Sequence, residues 1–169
     1  MTGLLKSFLL LVLFFAVCNP ALGQEEKSEE KTTKESQPEE PKFNPKLAKK
    51  LGADDYGMKS YVFVTLLTGE TVIKDPKENQ KIFAGHFSNM SRLAKEGKLV
   101  LSGPFVDGRP KRGLFIFNVK TIAEAEKLVK SDPAVKAGVF KYEMTKLYCS
   151  AALMQINDIH KSLQKKKVE

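Results

Sequence analysis

KLVLSGPFVDGRPKRGLFIFNV, residues 98–119, reads as two strands and the turn that joins them. Lys98–Ser102 is a short apolar run ended by Gly103-Pro104, Asp107-Gly108 marks a hairpin tip, and GLFIFNV at 113–119 is β-branched and aromatic. Upstream, YVFVTLLT at 61–68 is apolar throughout and closed by Gly69, as a buried strand is. Asp75-Pro76 then caps a helix running through Glu96, with Gly97 as its stop. Downstream, Thr121 and Glu124 form a capping box before a second helix that packs Ile122, Ala125, Leu128 and Val129. A fourth strand, VFKYEMTKLY at 139–148, puts Phe140, Tyr142 and Met144 on one side. The order β-α-β-β-α-β is the split pattern of ferredoxin-like folds, an α+β class with two helices on one face of a four-stranded antiparallel sheet. The first and third strands are apolar on both sides, so the other sheet face also needs a cover. A second subunit is one candidate, and the C-terminal segment is another, because Leu153, Ile156, Ile159 and Leu163 recur at helical spacing.

The chain has 169 residues, which leaves long appendages around this core. Lys6, the apolar run Phe8–Val17 and the small-residue site Ala21-Leu22-Gly23 have the layout of a signal peptide, 1–23, implying a periplasmic or secreted protein. Two alternatives are an uncleaved leader acting as a membrane anchor and a lipid-modified Cys18. Residues 24–57 read as a charged, disordered linker in which Phe43–Leu51 forms at most one loose helical turn, 58–148 as the α+β domain and 149–169 as an amphipathic helix with a basic tail. Cleavage at Gly23 would remove Cys18 and leave Cys149 alone, so a disulfide framework is not expected. The formal charge is +8, but lysines alternate with acids and no Arg-rich or aromatic-interleaved patch occurs. Nucleic acid is therefore not an expected partner.

Two residues stand out for chemistry. His86 lies four residues after Ile82 and four before Met90, within the apolar stripe of the first helix, so its imidazole faces the sheet. There it needs a hydrogen-bond partner, and a backbone carbonyl would serve as well as an acid. Asp132 begins SDPAVKAGVF, residues 131–140, where the simplest reading is a cap for a short turn opened by Pro133. Lys111 and Arg112 read as the solvated shoulder of the hairpin, with attraction of an anionic substrate as the alternative. There is no Gly-rich phosphate loop, no G-x-S-x-G elbow and no cluster around His160 with metal-ligand spacing.

The aromatic strand YVFVTLL, the helix carrying His86, EGKLVLSGPF and SDPAVKAGVF occur in this order over residues 58–148. In this the core resembles the YciI-like (YCII-related) family, whose members are small dimeric α+β barrels. The resemblance implies a homodimer through the sheet face and a histidine–aspartate catalytic pair falling on His86 and Asp132. It also implies acid–base chemistry of the lyase, dehalogenase or isomerase type on a small compound, with no cofactor and no metal. In that arrangement Asp132 would fix the tautomer of His86, and imidazole changes charge near neutral pH, as a general base requires. Ser102, Gly103 and Pro104 are the candidate substrate-binding residues at the mouth. The rival classes are a non-catalytic ligand-binding or structural dimer module and a tethered scaffold acting through the C-terminal helix.

Overall fold

The structure, a computed structural model, describes residues 42–166. The expected signal peptide, Cys18 and the first part of the linker lie outside the described residues. The elements run α1 (Pro45–Leu51), β1 (Met58–Thr68), α2 (Pro76–Lys95), β2 (Leu99–Pro104), β3 (Lys111–Phe117), α3 (Ile122–Val129), α4 (Pro133–Lys136) and β4 (Phe140–Ser150). A 3-10 turn, Ala151–Gln155, and α5 (Ile156–Leu163) follow. The four strands form one antiparallel sheet in the order β2-β3-β1-β4, so the ferredoxin-like α+β reading holds.

Local chemistry explains the helix starts. Asp75 accepts from the Lys77 N–H ahead of Pro76, and Thr121 and Glu124 make a reciprocal capping box on α3. The linker expectation needs correcting at its end, because 45–51 is helical. Asn44 caps the Leu47 N–H, and Pro45 at the first turn has its φ already set for a helix. Asp54 then accepts from the Tyr56 and Met58 N–H groups and from the Tyr148 hydroxyl, which ties the entry of β1 to the end of β4. Local hydrogen bonds here extend the single loose turn expected at 43–51 into a capped helix of seven residues.

Alternation along the strands sorts the two sheet faces. Val62, Val64, Leu66, Phe115, Phe117 and Phe140 turn to one face, where Leu93 of α2, Ala125 and Val129 of α3 and Ala134 of α4 close the main core. On the opposite face Tyr61, Val100 and Ile116 are covered by Leu153 and Met154 of the 3-10 turn. The C-terminal segment is thus one of the two expected covers, though only in part. Phe63, Leu67, Leu101 and Leu114 stay half-exposed, and on α5 Ile159 and Leu163 face outward. Asn157 fastens α5 to the sheet, its side-chain amide donating to the Leu99 carbonyl of edge strand β2 at 2.8 Å.

Two irregularities matter for the site. Gly103 and Pro104, expected just beyond β2, continue its pairing with β3. Between β1 and β3 the register slips: Leu66 pairs with Gly113 and Leu67 with Lys111, so Arg112 is an extra, bulged residue.

Candidate functional site

His86 and Asp132 meet, although 46 residues separate them in the chain. The imidazole Nδ1 lies 2.7 Å from Asp132 Oδ2, with His86 7% exposed and Asp132 fully buried. The second carboxylate oxygen, Oδ1, accepts from the Ala134 N–H at 2.9 Å and caps α4. The two readings of Asp132, cap and histidine partner, are therefore both correct, one per oxygen. Gly85 makes this meeting possible. A Cβ at Gly85 would lie 2.9 Å from Pro133 Cγ, so only glycine lets α2 approach α4 this closely. The residues following Gly85 and preceding Pro133 are the pair itself.

The imidazole ring sits among the phenyl rings of Phe83, Phe87, Phe115 and Phe140, at centroid distances of 5.4 to 6.1 Å. These rings exclude water from its flanks, which leaves Asp132 as its polar anchor. An ionised carboxylate only accepts hydrogen bonds, so a neutral imidazole beside it holds its proton on Nδ1 and a lone pair on Nε2. Nε2 has no protein partner among the described residues, yet no buried side-chain nitrogen or oxygen there is left unsatisfied. Nε2 is therefore open to solvent.

His86 lines a cavity of about 210 Å³. Leu66, Phe83, Phe87, Met90, Phe115 and Phe140 form its apolar wall, and Gly103, Pro104 and Gly113 supply backbone at its rim. Of the three expected substrate-binding residues, Gly103 and Pro104 line the cavity. Ser102 does not; it pairs with Phe115 one residue further down β2 and lies outside the lining. Glycine is needed at 113, because a Cβ there would lie 2.8 Å from the Gly103 carbonyl oxygen.

Arg112 also lines the cavity, where the sequence favoured a solvated shoulder. Regular alternation along β3 would send its side chain to the far face of the sheet, opposite Gly113 and Phe115. The bulge re-aims it, and the guanidinium stands 5.8 Å from the centroid of the Phe140 ring. Lys111 beside it is exposed, as expected. Cys149 packs half-buried against the far-face cluster, away from His86. Among the described residues no three His, Cys, Asp or Glu side chains are grouped so as to hold a metal ion. No helix among them is long and apolar enough to cross a membrane.

Residues 61–147 match the YCII-related domain. The uncharacterized protein YjpA of Bacillus subtilis (strain 168) is 31% identical over 81 residues, which cover 48% of this chain and 85% of that protein. A solved structure of 5-chloro-2-hydroxyhydroquinone dehydrochlorinase from Burkholderia phenoliruptrix AC1100, in complex with 2,5-dihydroxybenzoquinone, is also similar. It shares 17% identity at a TM-score of 0.38, over 50% of this chain and 90% of that one, too distant a likeness to bear on activity. The domain match and the relative together place this chain in the YCII-related domain family.

Proposed function

We propose that the protein is a cofactor-free acid–base enzyme, of the lyase, dehalogenase or isomerase type, acting on a small organic compound through His86 and Asp132. The observation that carries this reading is the 2.7 Å contact of His86 Nδ1 with Asp132 Oδ2 at the wall of a small apolar cavity. Nε2 takes a proton from a carbon or hydroxyl of the bound compound, and Asp132 pairs with the imidazolium that forms. The electron pair left behind either shifts within the compound, with the proton returned at another atom, or expels a leaving group.

General acid–base catalysis contributes ~10²–10⁴-fold, so His86→Ala should lose turnover on that order while still binding the compound. The test is a screen of small acids and phenolic compounds against wild type and His86→Ala, by binding and by turnover. Equal behaviour of the two proteins would sink the assignment. A non-catalytic small-ligand-binding module is the second reading. It is favoured by the part Asp132 plays in capping α4, a structural use of the pair that needs no chemistry. Saturable binding with no turnover of any bound compound would select it.

In this proposal a second copy covers the half-exposed far face, which Phe63, Leu67, Leu101 and Leu114 support. The protein acts after export, a reading supported by the apolar run Phe8–Val17 and the Ala21-Leu22-Gly23 site. N-terminal sequencing of the protein recovered from its cells should then begin at Gln24, and an intact Met1 would refute cleavage.

A further inference from the structure

We infer that Arg112 is a specificity-determining residue, and that the cavity takes small apolar molecules bearing a carboxylate, which the guanidinium reads. This deepens the proposed function and rests on the cavity beside His86 being the substrate site. Three observations carry it. First, Arg112 is the one permanently charged side chain in the lining, and no carboxylate lines the cavity with it, because Asp132 is fully buried behind His86. Secondly, among the described residues no acidic side chain forms an ion pair with Arg112, and its guanidinium makes no side-chain hydrogen bond. Its five N–H donors are left for a ligand, and their planar fork matches a carboxylate in two parallel hydrogen bonds. Thirdly, the charge reaches this side of the sheet only through the bulge at Arg112, supported by a glycine at 113 that the close approach of β2 requires. A mere solvated shoulder needs none of this.

The rest of the molecule follows from the walls. An apolar cavity of about 150 Å³ accommodates benzene, so about 210 Å³ leaves room for one ring or a short branched chain with its acid group. The ring or chain packs on Phe83, Phe115 and Phe140, the carboxylate lies against Arg112, and the reacting atom falls towards Nε2 of His86. Placed this way, Arg112 also withdraws electron density through the carboxylate and makes a proton on the neighbouring carbon easier to remove. Desolvation within the phenyl walls strengthens the pairing, since a guanidinium–carboxylate contact weakens with solvent exposure.

The test pairs each acid with its neutral amide: benzoate with benzamide, phenylacetate with phenylacetamide, and crotonate with crotonamide. Each is titrated by calorimetry into the full-length protein, wild type and the variants Arg112→Met and Lys111→Met. At least one acid should bind wild type about 10-fold or more tightly than its amide, as charge-assisted bidentate pairing predicts. Arg112→Met should abolish that preference by weakening the acid about 10-fold more than the amide, and Lys111→Met should keep it within about twofold, as an exposed charge does. Amides binding as well as acids, or equal losses in the two variants, would overturn the role of Arg112 and leave the cavity as a ligand site. Binding of neither acids nor amides would overturn the cavity itself and, with it, the proposed function.

Discussion

Asp132 divides its oxygens between two tasks, Oδ1 closing the first turn of α4 and Oδ2 holding His86. The substitution Asp132→Asn separates them. The amide oxygen still accepts from the Ala134 N–H, but the amide nitrogen now donates to Nδ1, which forces the proton of His86 onto Nε2. The variant should stay folded, show an Nε2-protonated ring in nitrogen-15 NMR, and lose ~10²–10⁴-fold in turnover. Asp132→Ala removes the cap as well and leaves a buried imidazole N–H unpaired, at a combined cost of about 2–4 kcal/mol in urea unfolding. An unchanged tautomer in Asp132→Asn would remove the carboxylate from the mechanism. At this scale the sequence is legible only where the signal is local. Asp-Pro announces a cap to anyone reading the chain, whereas its bond to a histidine 46 residues away became visible through family resemblance. Arg112 was misjudged for a related reason, since strand alternation assigns its side chain to the wrong face unless the bulge is known. Ser102 erred in the other direction, because adjacency in sequence to Gly103 and Pro104 does not put a side chain in the same hollow.

The pair depends on how closely two helices cross. Gly85 abuts Pro133, so a methyl group at 85 would press on a ring that cannot turn away. Gly85→Ala should therefore lengthen the His86–Asp132 contact and destabilise the fold by about 1–3 kcal/mol, the usual range for overpacking. Pro133→Ala in the same chain removes Cγ, the nearer atom in conflict, and should restore part of the loss. A double-mutant cycle by thermal unfolding, with the Nδ1–H resonance of His86 followed in parallel, measures both effects. Strictly additive losses would mean that the two residues do not meet as described. Elements of this kind were largely readable in advance. Asp75, Thr121 with Glu124, and the alternating strands carry their own start signals, and the order β-α-β-β-α-β followed from them. The helix α1 was readable only as one loose turn over 43–51, because its seven residues have no buried side chain and its start is set by the Asn44 cap rather than by an apolar stripe.

Across the whole molecule the two sheet faces have different fates. Three helices seal one, while the other is half covered by the chain's own C-terminal segment and left apolar around Phe63, Leu101 and Leu114. If a second copy completes it, Phe63→Glu should convert a dimer to a monomer in sedimentation velocity without loss of helix content, since buried like charges facing each other are costly. A monomeric wild type at micromolar concentration would rule out pairing through this face. The edges of the sheet have a further consequence. β2 and β4 both end the sheet, and an open edge is a template on which further chains can add strands without limit. On β2 the amide of Asn157 occupies the Leu99 carbonyl, and along β4 the exposed Lys141, Glu143, Thr145 and Lys146 crowd the approach with charge and polarity. Both devices oppose the addition of a further strand at the edges of the sheet, one by occupying a carbonyl and the other by setting charge in its path.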